Sequence, residues 1–188
     1  MIKKAIEFAK QAHRGQVRKG KDTPYILHPL EVCAIVSLIT DDEEVIAAAV
    51  LHDTVEDTKV TEKDLEREFG KRVAALVRKE SEDKSRTWIE RKMHTIKHLK
   101  DESIEVKMIA LGDKLSNIRE SYIDYLSVGD EFLQKFNEKS KVLQGMYYFG
   151  IAEALKEFKG NRFYEEYREI CNKVYGDVKE EVYKEMPF

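Results

Sequence analysis

An apolar run that ends in ionisable residues constrains the fold of this chain most. The aliphatic residues 45–51 contain neither Gly nor Pro and predict a buried helix. His52 and Asp53 follow directly, and Glu56 and Asp57 come about one turn later. Because buried carboxylates without partners are costly, the fold must supply cations, a metal ion or water at this helix end.

The residue types at this helix end favour a metal ion. Imidazole and carboxylate ligands without a thiolate suit a divalent ion such as Mn²⁺, Fe²⁺ or Zn²⁺ in a partly open site. On a continuing helix, Glu56 would lie one turn after His52, and Asp57 one turn after Asp53. The pair His52 and Asp53 could then bind the ion, while Glu56 and Asp57 contact a water molecule bound to it. Alone, a His-Asp pair is more often a surface or capping pair, and the acidic doublet could be a solvated helix end.

Composition bounds the class of protein. The chain has 188 residues, 37% of them charged, and a net charge of only −3, so nothing suggests a partner that is a nucleic-acid polymer or a membrane surface. The longest apolar run is far too short to span a membrane. Cys33 and Cys171 are distant in sequence, which is typical of a reducing compartment. The N-terminal segment reads as an amphipathic helix rather than a signal peptide. We therefore expect a soluble, cytoplasmic protein.

Helical patterns predict an all-α fold, a single-domain helical bundle over residues 1–188. The chain has only three prolines and nine glycines, and strand-like alternation is absent. Pro29 fits the first turn of a helix, and Thr61 with Asp64 resembles a capping box opening a helix that ends at Gly70. One buried seam is predicted at Ile104, Met108, Leu111, Leu115 and Ile118. Residues 126–188 show helical aromatic stripes and no motif, and these stripes could be core, pocket wall or a dimer face.

Two further segments carry candidate site residues. The loop between His13 and Pro29 is basic and includes Arg18 and Lys19, which could wrap phosphates, although most such loops are solvated surface. His28 follows this loop at the start of a helix, where alone it would more often be a core or helix-terminal histidine.

A polar stripe follows the buried seam on another helical face. Asp113, Ser116, Asn117 and Glu120 recur at helical spacing. Such a stripe is usually only the solvent side of a helix. Here it could complete a ligand set, since Asp113 would join His28, His52 and Asp53.

Four motifs occur in order along the chain: His-Arg-Gly-Gln-Val-Arg-Lys at 13–19, Thr-Pro-Tyr-Ile-Leu-His-Pro at 23–29, His-Asp-Thr-Val-Glu-Asp-Thr at 52–58 and Asp-Lys-Leu-Ser-Asn-Ile-Arg at 113–119. Together they resemble the hydrolase domain of the RelA/SpoT family, within the HD superfamily of metal-dependent phosphohydrolases. The resemblance covers about residues 1–125 and is closest to the small stand-alone hydrolases, because the chain has no room for synthetase and regulatory regions. It implies hydrolysis of the alarmones ppGpp and pppGpp to GDP or GTP and pyrophosphate.

The resemblance also implies residue roles. It assigns one metal ion, Mn²⁺ by family analogy, to four ligands, and water activation to Glu56 and Asp57. It places Arg18 against the guanine and Asn117 near the base or ribose. Phosphate charge would come from Lys19, Lys114 and Arg119. The four metal ligands that it implies are His28, His52, Asp53 and Asp113.

The sequence departs from the family pattern at two positions, and two alternative functions stay open. Gly112 replaces a usual Ala, which would loosen the helix, and Glu120 stands where long family members often carry Thr, which bears on guanine specificity. One alternative is an HD phosphohydrolase for another phosphorylated nucleotide, such as NADPH. The other is a non-catalytic helical binding protein stabilised by its metal ion.

Overall fold

The computed structural model describes residues 1–79 and 86–185. Within these ranges every regular element is a helix, and β pairing is limited to one isolated bridge between Val17 and Pro24. The all-α prediction is confirmed. In chain order, the α-helices of the described ranges are α1 (Ile2–Ala12), α2 (Leu27–Ser37), α3 (Glu43–Leu51), α4 (Thr54–Asp57), α5 (Glu62–Phe69), α6 (Lys71–Lys79), α7 (Trp88–Asp101), α8 (Ile104–Val128), α9 (Lys141–Ala154), α10 (Arg162–Tyr175) and α11 (Lys179–Glu185).

The described residues form two compact units. The first comprises residues 1–79 and 103–116, and the second comprises residues 86–102 and 117–185. Helix α8 is shared, since its first half belongs to the first unit and its second half to the other. A single domain over residues 1–188 therefore stays a prediction. No helix in the described ranges combines the length and hydropathy needed to cross a bilayer.

Helix α3 is the centre of the first unit. It packs against α1, α2 and α6, and every residue from 45 to 51 is at most 4% exposed. Asp42 caps its N-terminus by accepting from the amides of Glu44 and Val45 at 3.0 and 3.4 Å. Arg72 then clamps the Asp42 carboxylate with bonds of 3.0 and 2.7 Å. Full burial of a Val, Ile or Leu side chain stabilises a fold by about 1.5–3 kcal/mol. The predicted buried helix is confirmed.

Helix α5 begins and ends where the sequence predicts. Thr61 and Asp64 form the reciprocal capping box, in which each side chain bonds the other's backbone amide. Gly70 ends the helix at φ +91°, a conformation that residues with a Cβ rarely adopt. Pro29 lies in the first turn of α2, again as predicted.

The first half of α8 packs closely against α2. Leu111 and Leu115 are fully buried, but Ile104 is 43% exposed, so the predicted buried seam is wrong at its first residue. Gly112 faces α2: a Cβ there would lie 3.1 Å from methyl groups of Val32 and Val36. The glycine that was expected to loosen the helix therefore allows two backbones to approach next to Asp113.

Aromatic side chains build the core of the second unit. Tyr164 and Tyr167 are buried, and their hydroxyls donate to the backbone carbonyls of Ala152 and Tyr148 at 2.8 and 2.9 Å. Helix α9 also packs against α7 and α11. The aromatic side chains of α10 are thus part of a packed core, in which the hydroxyls of Tyr164 and Tyr167 are hydrogen-bonded.

Candidate active site

The site forms where α3 ends. His52 and Asp53 lie in a turn between α3 and α4, so the predicted continuous helix is interrupted there. Thr54 explains the break, because its buried hydroxyl donates to the Leu51 carbonyl at 2.6 Å. The Asp57 amide still donates to the Asp53 carbonyl at 2.9 Å. The relation of one helical turn between these two acidic residues is therefore retained despite the break.

The structure brings the four predicted metal ligands together from α2, α8 and the turn between α3 and α4. His28 Nε2 lies 3.2 Å from Asp113 Oδ1 and 3.5 Å from Asp53 Oδ2. His52 Nε2 lies 3.0 Å from Asp53 Oδ2 and 3.7 Å from Asp113 Oδ1. Donor atoms of His28, His52 and Asp113 all lie within 4.8 Å of one another, and these three residues are buried. Such a spacing can place several donors around a single ion.

Hydrogen bonds at the outer nitrogens fix the imidazole rings. Ser116 Oγ donates its proton to Glu31 Oε2 at 2.7 Å and lies 2.8 Å from His28 Nδ1. Because the hydroxyl proton is already used, His28 Nδ1 must carry a proton and donate it to Ser116 Oγ. His52 Nδ1 lies 2.8 Å from the Ala49 carbonyl oxygen and donates to it. Both Nε2 atoms consequently direct lone pairs toward the carboxylates, an arrangement typical of metal-ligating histidines.

A buried polar atom tests whether the site fits a cation. His52 Nε2 is buried and has no hydrogen-bond partner among the described residues, although Asp53 Oδ2 is close to it. An imidazole lone pair and carboxylate oxygens repel one another unless a cation lies between them. The donor set therefore fits a divalent metal ion, with nitrogen and oxygen ligands and no sulfur.

The electrostatics of the cluster agree with this fit. Burial alone would raise the pKa of Asp53, but the adjacent His52 and His28 imidazoles hold it well below the ordinary value. Burial likewise opposes ionisation of Asp113, whose pKa is nevertheless held well below normal by Lys114 and both histidines. Burial would lower the pKa of His52, yet Asp53 and Asp113 raise it well above the usual value. The buried carboxylates of the cluster are thus suited to a cation between them and the histidines.

The predicted acidic pair lies on α4, beside this cluster. Glu56 is partly buried and Asp57 is exposed. The Tyr25 hydroxyl donates to Asp53 Oδ2 at 2.6 Å and lies 3.3 Å from Asp57 Oδ2. Gln16 donates to the Asp57 carbonyl at 2.7 Å, and both residues line a cavity of about 590 Å³. Asp57 thus links the ligand cluster to an open cavity.

Tyr25 is a hydrogen-bond donor throughout the ordinary pH range. Its burial, together with the carboxylates of Asp53 and Asp57, raises the pKa of its hydroxyl far above the ordinary value. The guanidinium of Arg18 lies 5.5 Å from the centre of its ring, a cation–π contact. Arg18 is therefore two contacts away from a ligand carboxylate.

The other predicted substrate-binding residues lie in different surroundings. Lys19 is exposed in the basic loop, and Lys114 is partly buried and bonded to Asp113. Asn117 follows one turn after Asp113 on α8. In the second unit, Arg119 forms a two-pronged ion pair with Glu166, with both bonds at 2.7 Å. Its positive charge is thus largely neutralised within the protein.

Three residues around the site were not predicted as functional. Tyr25 has a sequence signal, since it precedes His28 by three residues in a stiff Thr-Pro-Tyr segment. Ser116 belongs to the polar stripe with Asp113. Glu31 carries no signal, because its role depends on α2 packing against a distant helix.

Comparison with known proteins agrees with this geometry. The sequence profile of the HD domain matches residues 5–124. The chain therefore belongs to the HD-domain family. It is 42% identical over 123 residues to the guanosine-3′,5′-bis(diphosphate) 3′-pyrophosphohydrolase MESH1 of Danio rerio, an alignment covering 64% of this chain and 68% of that protein. MESH1 of Drosophila melanogaster is 40% identical over 122 residues, covering 63% and 68%.

Solved structures show the same relationship. A metazoan orthologue of SpoT, described as hydrolysing ppGpp, matches with a TM-score of 0.76 and 30% identity over 92% of this chain and 94% of its own. A protein of Listeria monocytogenes EGD-e matches with a TM-score of 0.73 and 33% identity, covering 79% of this chain and 99% of that chain. The predicted relationship to small SpoT-like hydrolases is confirmed.

Proposed function

We propose that this protein is a metal-dependent phosphohydrolase that removes the 3′-diphosphate of ppGpp and pppGpp as pyrophosphate, leaving GDP or GTP. The convergence of two histidines and two carboxylates beside an acidic helical turn carries this proposal. The substrate is taken from the MESH1 relatives, whose names specify this reaction.

His28, His52, Asp53 and Asp113 would hold the metal ion, which we propose to be Mn²⁺. A divalent ion held there supplies Lewis-acid polarisation of a phosphoryl oxygen and favours ionisation of the attacking water. A histidine and carboxylate donor set also accepts Fe²⁺ and Zn²⁺. The proposed identity is tested by comparing the activity of metal-free protein reconstituted with each ion.

Glu56 and Asp57 would orient the attacking water and accept its proton. The oxygen of this water would bond to phosphorus as the bond between phosphorus and the ribose 3′ oxygen breaks, and the ribose oxygen would leave and take up a proton from solvent. The Tyr25 hydroxyl donates to Asp53 and therefore holds that carboxylate in place. Because Tyr25 is a donor, it does not accept the proton that the attacking water gives up. General-base assistance typically contributes ~10²–10⁴ in rate.

The other predicted binding residues would meet the charge and the base of the substrate. Arg18, on the face of Tyr25, is proposed to stack on or face the guanine, and Asn117 to bond the base or ribose. Lys19 and Lys114 are the proposed phosphate contacts. Arg119 has the weakest support for such a role, because Glu166 already occupies its guanidinium.

Glu120 offers less support for the NADPH alternative than its sequence position suggested. Its carboxylate lies 3.7 Å from Lys135 Nζ and is therefore partly neutralised within the second unit. Alarmone hydrolysis remains the primary proposal. A parallel assay with ppGpp, pppGpp and NADPH separates the two substrate classes.

The deciding experiment measures pyrophosphate released from ppGpp by purified protein with Mn²⁺. Asp53→Ala should abolish release by removing a ligand, and Glu56→Gln should slow it while metal binding is retained. Glu66→Gln, an exposed residue of α5, serves as a matched control with full activity. Stoichiometric metal binding without turnover on any nucleotide would instead favour the non-catalytic binding protein.

A further inference from the structure

Helix α4 is too short to be stable without contacts from other parts of the chain. It spans only Thr54–Asp57, and isolated helices of a single turn are unstable in water. Its final carbonyl groups also lack donors within the helix. Thr58 Oγ donates to the Thr54 carbonyl at 2.6 Å, and Gln16 Nε2 donates to the Asp57 carbonyl at 2.7 Å. The end of α4 that carries the acidic pair is therefore capped by a side chain 41 residues away in sequence.

His13 fixes the orientation of this capping amide. Its Nδ1 lies 2.7 Å from Gln16 Oε1. Because Gln16 uses its NH₂ group for the Asp57 carbonyl, Oε1 must accept, and His13 Nδ1 must carry the proton. His13 is only 2% exposed, and its Nε2 has no hydrogen-bond partner among the described residues. The buried ring therefore donates through Nδ1 and holds the Gln16 amide in the orientation that faces Asp57.

Tyr25 connects the same pair to the other end of α4. The Tyr25 backbone amide donates to the Gln16 carbonyl at 2.9 Å, and its ring packs 5.0 Å from the His13 ring. Its hydroxyl reaches Asp53, the residue immediately before α4. One network of hydrogen bonds and ring contacts, with the buried His13 in it, therefore contacts both ends of α4.

We propose that His13 and Gln16 are positioning residues, which act on the reaction by fixing α4 so that Asp57 and Glu56 face the attacking water. The inference rests on the proposed function for the roles of these two carboxylates. Neither positioning residue is a metal ligand in the proposed set. Their loss should therefore affect turnover and leave metal binding intact.

The first test compares Gln16→Met with Gln11→Met, the same change at an exposed position of α1. Misplacing a reacting group by about 1 Å can cost ~10²-fold in rate, so kcat of Gln16→Met should fall about 10–100-fold. Its KM and Mn²⁺ stoichiometry should stay near wild type, and Gln11→Met should match wild type throughout. A loss of bound metal equal to the loss of kcat would overturn the inference.

Variants of the histidine supply a rescue. His13→Phe keeps an aromatic ring beside Tyr25 but has no donor, and it should lose as much kcat as Gln16→Met. His13→Asn loses the ring but offers an amide N–H close to the place of Nδ1, and it should recover most of the activity. Equal loss in both variants would mean that only the packing of the ring matters, and would refute positioning through Gln16.

A double-mutant cycle with Asp57→Asn asks whether Gln16 acts through that carboxylate. In the Asp57→Asn background, Gln16→Met should cost less than about twofold further, because coupled residues are not additive. The full loss in both backgrounds would overturn the inference.

Amide hydrogen exchange gives a readout that needs no substrate. In Gln16→Met the protection of the Asp57 amide should fall about fivefold, as expected for a hydrogen bond worth ~1 kcal/mol. If wild-type protein leaves ppGpp intact, the proposed function fails, whereas the exchange result still decides whether Gln16 holds α4. Unchanged protection would refute the inference whatever the substrate.

Discussion

Removing the Ser116 hydroxyl should weaken metal binding without touching a ligand. Ser116 is 3% exposed and connects His28 Nδ1, at 2.8 Å, to the Glu31 carboxylate, at 2.7 Å. In Ser116→Ala the His28 ring loses the acceptor for its Nδ1 proton, and the Glu31 carboxylate loses the Ser116 hydroxyl as a donor. Outer hydrogen bonds of this kind are typically worth 10–100-fold in metal affinity. We therefore expect Kd for Mn²⁺ to rise by about that factor, equivalent to about 1.4–2.7 kcal/mol.

Calorimetric titration of metal-free protein with Mn²⁺ measures this change. Ser121→Ala is a matched control on the same helix, because Ser121 is 2% exposed and, among the described residues, its hydroxyl bonds only the Asn117 carbonyl, at 3.1 Å. The stabilisation that excess Mn²⁺ gives against thermal unfolding should fall by the same free energy. Equal Mn²⁺ affinities in Ser116→Ala and Ser121→Ala would refute the reasoning that the hydroxyl orients His28.

Three further predictions concern chemistry, pH and packing. Glu56→Gln should lower kcat by ~10²–10⁴ while calorimetric Mn²⁺ affinity stays unchanged, and a parallel loss of affinity would contradict its role toward water. Arg72 lowers the pKa of Asp42 to about 2, so this pair stabilises the fold above pH ~4 and loses that contribution as the pH falls toward ~2. In urea unfolding, Arg72→Leu should therefore have a lower free energy of unfolding than wild type at neutral pH, and the difference should shrink in acid. A difference that stays constant with pH would argue against the pair. In Gly150→Ala the new Cβ would lie 2.5 Å from Ile96 Cδ1, costing ~1–3 kcal/mol of unfolding free energy against ~1 kcal/mol gained in helix propensity. Adding Ile96→Val should recover part of this loss, and no recovery would place the strain elsewhere.

The site was predictable where its signal is local. The apolar run before His52 predicts burial, and histidines with carboxylates predict a cation whatever the surrounding fold. The break between α3 and α4 was missed because it depends on Thr54 competing for a helix carbonyl, which periodicity does not reveal.

Contacts between helices that are distant in sequence could not be predicted from the sequence. Glu31 and Ser116 meet only because α2 and α8 pack together, at a distance of 85 residues along the chain. Gly112 acquires its packing role from the same contact. Ile104 was assigned to the core by its spacing, but it is the first residue of α8, where a helix commonly emerges into solvent. The fold class and the ligand types follow from local chemistry, whereas the network that orients them follows from tertiary packing.

The position of the single tryptophan makes the two compact units spectroscopically distinct. Trp88 is partly buried on α7, edge-on to Tyr147 with 6.3 Å between ring centres, and both belong to the second unit. The metal-ligand unit contains Tyr25 and no tryptophan. Tryptophan fluorescence therefore follows the melting of one unit, while far-ultraviolet circular dichroism follows helices in both. If residues 1–188 unfold as a single domain, we expect the two optical transitions to coincide. Added Mn²⁺ should then move the fluorescence transition, even though the proposed ion site lies in the other unit.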